Sequence, residues 1–273
     1  MMLGSWLTRV RTQRPLVHNI TNVVVANTVA NALLAIGASP VMAYAHEEVA
    51  DMARLASALS LNIGTLNADI VTSMRIAGKA ANEAGVPIIF DPVGVGATPY
   101  RTDAAQQLTS ALHLTALRGN AGEIGVMVGA GGQVVGVDSA GVSESLPLHM
   151  QRYAQAHQTV VIATGEYDLV TDGIQVWKLR NGDPLLSTIT GSGCSLTGIL
   201  GAFLGVVKPG SSLCEYAEAA ISAVTCLNLA GEKAAKVAHA PGTFQAALFD
   251  ALYELTEAEV DQLGHVEPLE VRI

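Results

Sequence analysis

Residues 187–203 read STITGSGCSLTGILGAF: two glycines, a serine and a cysteine at the mouth of an apolar run. The run predicts a helix over about 194–206, with Gly191, Ser192 and Gly193 leading into it. First-turn amides of a helix have no intrahelical acceptor, and with the helix dipole they form an anion site. Glycines let that backbone approach a phosphate closely. An ordinary glycine turn is the other reading of these residues. No Gly-Lys-Ser/Thr follows, so this is not a Walker loop, and Ser192 and Cys194 are out of register for a nucleophile elbow. Cys194 is a nucleophile, a base, a metal ligand, a positioning group or a small buried thiol. A helix N-terminus would lower its pKa and make thiolate accessible, and a nearby phosphate would raise it again.

Three other segments carry polar groups suited to chemistry. FDPVGVG places Asp91 at the end of an apolar run, where an acid holds a metal, orients a phosphate or caps the next loop. In RGNAGE, Asn120 and Glu123 stand three apart, on one side of a helix's first turn, where both can face one water or Mg²⁺. Glu at that position is also a common capping residue. Arg118, just before them, is suited to neutralising a nucleotide phosphate. In VHNITNVVVAN, Thr21 and Asn22 are good N-caps for the helix read over 22–36. His18 has no acid partner at a telling spacing and reads as a structural, hydrogen-bonded group. No histidine metal site is signalled.

These residues need a scaffold. Half of the 273 residues are hydrophobic, 14% are charged and aromatics are scarce, the composition of helices packed closely on a sheet. Strands are read at SPVMAYA, LNIG, VPIIFDPVG, LTALRGN and TVVIATG. Between them stand helices at EEVADMARLASAL, ADIVTSMRIAGKAANEAG, TDAAQQLTSALH, AGEIGVMVG and LPLHMQRYAQAH. Residues 130–146 read as a surface connection. Residues 166–190 read as two or three strands with turns at Asp172-Gly173 and Asn181-Gly182. Helices follow at about 194–206, 212–235 and 241–254, and the chain from 256 reads as polar and peripheral. The alternation predicts one α/β domain, 1–273, with a mostly parallel sheet covered on both faces. Ligands of such sheets lie beyond the carboxyl ends of the strands. Candidates are therefore Asn62 to Thr65, Asp91 to Gly96, Arg118 to Glu123, Thr164 to Asp168 and Thr190 to Cys194.

The net charge of −9, from 15 Lys+Arg against 24 Asp+Glu, and the lack of a long basic run argue against nucleic acid as a partner. The three cysteines show no CxxC spacing, which favours a reducing compartment. The start lacks a long apolar core of a signal peptide, and residues 196–207 are too few to span a bilayer. The expectation is a cytoplasmic protein without membrane partners.

Together PLVHNITN, GASPVMAYAHEEV, LNIGTL, DPVGVGATPYRT, LRGNAGEI, ATGEYD and TITGSGCSLTG, in this order, resemble hydroxyethylthiazole kinases of the thiamin pathway, from about Pro15 to Tyr253. The resemblance implies a three-layer α/β/α ribokinase-like sandwich and transfer of the ATP γ-phosphoryl to 4-methyl-5-(2-hydroxyethyl)thiazole. It implies a substrate pocket at Asn22, Met42, Gly64, Thr65, Gly191 and Cys194. Arg118, Asn120, Thr164 and Asp168 would lie on the nucleotide side, and Asp91 and Glu123 beside the phosphates and Mg²⁺. It also implies a homotrimer with pockets shared between subunits. At Ser195 the resemblance leads one to expect an apolar residue. Kinases of hydroxymethylpyrimidine or pyridoxal, a cysteine-dependent hydrolase or acyltransferase and a non-catalytic nucleotide binder are the competing readings. Many relatives in the first group carry Asp where Cys194 stands.

Overall fold

The computed structural model describes residues 2–130 and 145–271. Most of the surface connection read over 130–146 therefore lies outside the described residues. One sheet runs through them, in the order β2-β1-β3-β4-β5-β6-β7-β8-β9. Its parallel part is β1 (Leu16–Ile20), β2 (Ser39–Val41), β3 (Ala58–Asn62), β4 (Ile88–Asp91), β5 (Ala116–Asn120) and β6 (Val160–Thr164). Then β7 (Asp168–Thr171), β8 (Val176–Leu179) and β9 (Val266–Leu269) continue it antiparallel.

Successive residues of a strand face opposite sides, so each strand feeds two cores. Val17, Ala58, Ile89, Ala116, Val160 and Ile162 pack on one side with α1 (Gly4–Gln13), α2 (Ala26–Ile36), α8 (Ser192–Leu204), α9 (Leu213–Val237) and α10 (Pro241–Glu254). Leu59, Leu61, Ile88, Phe90, Leu117, Val161 and Ala163 pack on the other with α3 (Val49–Leu55), α4 (Ala68–Ala84), α5 (Pro99–Ala111), α6 (Ala121–Met127) and α7 (Leu146–His157). This is the three-layer arrangement expected. It has a consequence for chemistry. Asn62, Asp91, Arg118 and Thr164 share the phase of Ala58, Ile89, Ala116 and Ile162, so all four face the helix layer that contains α8 and α9.

Several boundaries differ from the reading of the sequence. LVHNI is the inner strand β1, not a lead-in to a helix, and α2 starts only at Ala26. Its N-cap is Val25, with no side-chain cap, so Thr21 and Asn22 are not its caps. Helix α3 stops at Leu55, because ALSLN extends into a fully buried parallel strand whose apolar run has no amphipathic period. The hairpin turn at Asp172-Gly173 is present. No third strand follows Asn181-Gly182, where a 3₁₀ turn over Pro184–Thr188 leads to α8. The chain beyond 256 is less peripheral than expected: α11 (Glu257–Leu263) packs by Val260, and β9 completes the sheet.

Phe90 is fully buried on the α3–α7 side, one residue before Asp91. Phe90→Ala is expected to cost about 3–5 kcal/mol through lost burial and a residual cavity. Asn67→Ala removes the side-chain cap on Ile70 N–H at the start of α4 and should cost about 1 kcal/mol. Midpoints of chemical unfolding for the two variants check the difference.

Candidate active site

Strands β1 and β3 are neighbours whose chain connections leave in opposite directions, which opens a crevice at their carboxyl ends. Asn62 ends β3 there, 2% exposed. Its Nδ2 donates to Asp91 Oδ2 at 2.8 Å and to Cys194 Sγ at 3.2 Å. Its Oδ1 accepts from Asn22 Nδ2 at 3.0 Å and from the Gly64 amide at 2.9 Å. Asn22 Nδ2 also reaches Cys194 Sγ, at 3.3 Å. One side chain thus joins the ends of β1, β3 and β4 to the first turn of α8.

Asp91 is completely buried and its carboxylate accepts from side chains, not from the amides of the loop that follows it, so the reading as a cap for that loop does not hold. Its Oδ2 also accepts from Thr197 Oγ1 at 2.7 Å and from Arg118 Nη1 at 3.4 Å. Its Oδ1 is buried without a hydrogen-bond partner. Burial pushes this carboxyl up to about 6, against the pull of Arg118 and with a push from Glu123. Arg118 Nη2 donates to Thr164 Oγ1 at 2.7 Å, and Thr164 in turn donates to the Gly119 carbonyl at 3.3 Å. A Cβ at Gly193 would lie 2.9 Å from Arg118 Nη1, so this guanidinium lies against the glycine loop.

The start of α8 differs from helices that begin with a side-chain cap. Asn67, Thr98, Asn120, Ser212 and Thr256 each accept a first-turn amide of their own helix. Gly191, the N-cap of α8, has no side chain to do so, and its φ of 86° suits glycine. A Cβ there would also stand 2.7 Å from Val25 Cγ1. Ser195 N–H bonds back to the Gly191 carbonyl, and the amides of Ser192, Gly193 and Cys194 precede the first intrahelical bond.

Cys194 behaves differently from the expectation that a helix N-terminus would expose a thiolate. Burial, then the neighbouring Asp91, pushes its thiol up to about 11, and Arg118, Asn62 and Asn22 do not reverse this. The sulfur accepts two amide hydrogen bonds as a thiol. Glu123 follows the capping reading. It is the N3 partner of the Asn120 capping box, with Oε2 accepting the Asn120 amide at 2.8 Å and Oε1 accepting the Gly94 amide at 2.7 Å. Asp168 is buried, with its two oxygens on the Gly165 amide and Asn228 Nδ2. Thr65 Oγ1 accepts the Val23 amide at 3.1 Å, and a Cβ at Gly64 would lie 2.8 Å from Asn22 Nδ2. Met42, just past β2, packs half-buried on the core that also takes Cys194. Ser195 points away from the sheet, into a small cavity among α2, α9 and α10. His18 is structural as expected, with Nε2 on the Ala43 carbonyl at 2.9 Å and burial lowering its pKa.

Thr197 was not singled out in the sequence, although it stands three residues after Cys194 on one helix face, a spacing that signals a shared neighbour. Asn62 was legible as a strand end but carried no role. Among the described residues no group of three or more His, Cys, Asp or Glu is placed to hold a metal, and no helix is long and apolar enough to cross a membrane.

The chain is similar to known proteins over most of its length. The model of the hydroxyethylthiazole kinase family matches residues 7–258. A hydroxyethylthiazole kinase of Moorella thermoacetica (strain ATCC 39073 / JCM 9320) is 51% identical over 252 residues, covering 92% of each chain. The solved structure of a hydroxyethylthiazole kinase protein from Pyrococcus horikoshii OT3 superposes with a TM-score of 0.88 at 41% identity, over 98% of this chain and 99% of that one. A pyridoxal kinase from Staphylococcus aureus in complex with pyridoxal shares the fold alone, with a TM-score of 0.62 at 17% identity over 94% and 98% of the two chains. The ribokinase-like sandwich expected from the motifs is the one observed.

The buried Asp168 yields a pH prediction. Its carboxyl is pushed up to about 6 by burial, from 3.8 in the open chain. The folded state therefore holds this proton more tightly, and the group's contribution to stability is lost as pH rises from about 4 through 6. Asp168→Asn should be less stable overall, by about 1–3 kcal/mol, because the Gly165 amide or Asn228 loses its acceptor. Its decline between pH 4 and 6 should be shallower than that of the parent. Urea midpoints across this range test it, and parallel slopes count against it.

Proposed function

The chain belongs to the hydroxyethylthiazole kinase family and is a kinase, and from that premise we propose that it acts as one domain over residues 1–273. In this reading it transfers the γ-phosphoryl of ATP to the hydroxyl of 4-methyl-5-(2-hydroxyethyl)thiazole, giving the thiazole phosphate and ADP. The observation that carries the proposal is the convergence of Asp91, Cys194 and Arg118 on the uncapped start of α8. Phosphoryl transfer needs positioning and charge neutralisation more than covalent chemistry. The Ser192, Gly193 and Cys194 amides supply donors for the transferring group, and Gly191 keeps their approach open.

The alcohol lies in the crevice between Asn22, Met42, Gly64, Thr65 and Gly191, with its hydroxyl beside Cys194. Cys194 positions that hydroxyl as a neutral thiol. Its raised pKa is poorly suited to a thiolate nucleophile, and in-line transfer requires none. Arg118, Asn120 and Thr164 face the nucleotide, while Asp168 holds the Gly165 amide of the adjoining loop.

Mg²⁺ fits the acids present. Asp91 Oδ1 is a buried oxygen with nothing bonded to it, and Mg²⁺ needs only one or two carboxylates beside phosphate and water. Glu123 adds negative charge nearby while its oxygens hold amides. When bound, the ion neutralises charge on the phosphoryl oxygens. Thr197 and Asn62 keep Oδ2 occupied and so leave Oδ1 for this role.

Assembly as a homotrimer, with each pocket completed by a neighbour, is supported by Val23 and Val24. These apolar side chains are 73% and 66% exposed directly beside Asn22. Three free cysteines accord with a cytoplasmic setting.

An ATP-dependent assay with thiazole, pyrimidine and pyridoxal alcohols tests the substrate, and preference for either of the latter two defeats the assignment. Asp91→Asn should lower kcat on the order of 10²–10³-fold, with a smaller change in the KM for the thiazole. Cys194→Ala should be slower by roughly tenfold, the scale of one hydrogen bond, while Cys194→Asp keeps substantial activity. Equal turnover in Cys194→Ala leaves the thiol a space-filling role, and a trapped phosphocysteine overturns direct transfer. Sedimentation should give a trimer, and Val24→Glu should dissociate it with loss of activity. A fully active monomer refutes the shared pocket.

A further inference from the structure

Arg101, in the first turn of α5, is a cation with no carboxylate partner among the described residues. Its donors go to backbone carbonyls. Nη1 donates to the carbonyls of Ile63 and Val93, each at 2.8 Å, and Nη2 donates to that of Gly64 at 2.8 Å. Ile63 and Gly64 follow β3, and Val93 follows β4, so one planar fork ties the two loops of the crevice together.

A carbonyl held in place also orients an amide. Across a trans peptide the C=O of one residue and the N–H of the next point in opposite directions, and the described residues contain no cis peptide. With the Ile63 carbonyl turned to Arg101, the Gly64 N–H turns away and meets Asn62 Oδ1. With the Val93 carbonyl turned to Arg101, the Gly94 N–H meets Glu123 Oε1. The Gly64 carbonyl sets the Thr65 N–H in the same manner. Gly94 leaves the arginine stem its path, since a Cβ there would stand 3.2 Å from Arg101 Cδ.

We propose that Arg101 is a positioning residue of the site, locking the loops after β3 and β4 so that their amides hold Asn62 and Glu123 in place. Its effect on turnover rests on the kinase reading above; its effect on the loops does not. A lysine keeps the charge but has a single nitrogen, which cannot reproduce the fork across both loops.

The test uses full-length Arg101→Lys and Arg101→Met at a temperature where melting curves show both folded. Amide hydrogen exchange should accelerate together at residues 63–65 and 93–95, while β5 keeps its protection. The KM for the thiazole alcohol should rise on the order of tenfold or more and kcat should fall, with a smaller change in the KM for ATP. Lysine should recover only part of either effect. Exchange that rises in one loop alone, or uniformly through the protein, overturns the proposal. So does a folded Arg101→Met with parental kcat and KM. A parental protein inactive on the thiazole alcohol defeats the kinase reading instead, and the exchange measurement still decides the lock.

Discussion

The side-chain amide of Asn62 has two hydrogens and one oxygen, and the site's main parts are at the far ends of the bonds they make. Cys194 and Asp91 take the hydrogens, and Asn22 and the Gly64 amide share the oxygen. With both ends of the amide engaged, its orientation has one solution: turning it over would set donor against donor at Asn22 and Gly64. A carboxamide suits this place because Asp91 needs a donor while the Gly64 amide needs an acceptor. The pleat does the rest. Asn62, Asp91 and Arg118 follow one another across the register of β3, β4 and β5 on the sheet face that carries α8, and Thr164 stands on the same face of β6 two residues beyond Ile162, the partner of Arg118.

Burial governs the site's electrostatics more than any single charge does. Asp91, Asp168 and Cys194 are all shifted toward their neutral forms, and desolvation leads in each. Arg118 opposes this but is shared between Asp91 and Thr164. The result is a site whose two carboxyls take up protons at higher pH than free ones, whose thiol stays protonated at neutrality, and whose Asp91 has one oxygen without a hydrogen-bond partner.

Much of this was legible in the sequence. Asp91 and Asn120 end strands that alternate with helices, Arg118 stands two residues before Asn120, and Gly191 to Gly193 precede an apolar run, so their gathering follows from topology alone. The errors have physical causes. LVHNI is short and runs into polar residues that cap helices elsewhere, so β1 was absorbed into the approach to α2. ALSLN has the apolar continuity of a buried strand, which periodicity does not separate from the end of a helix. The sequence shows the helix start beside Cys194 but not its desolvation, which depends on packing from α8 and the strands and is the larger influence. Thr197 and Arg101 bond across 106 and up to 38 residues, and no local pattern carries such pairs.

The antiparallel edge has a meaning for the order in which the protein is made. Strand β9 is the last element among the described residues, yet it covers the outer edge of β8. The neighbouring Asn181 donates to Glu232 and to the Leu263 carbonyl and accepts the His265 amide. Asn228 then ties the Asn181 carbonyl to Asp168. Without β9 the edge of β8 beside Trp177 is an open ladder. An open ladder of this kind invites pairing with another chain until β9 arrives. Arrival of the final segment closes the ladder and completes the polar chain running back to the β6–β7 loop.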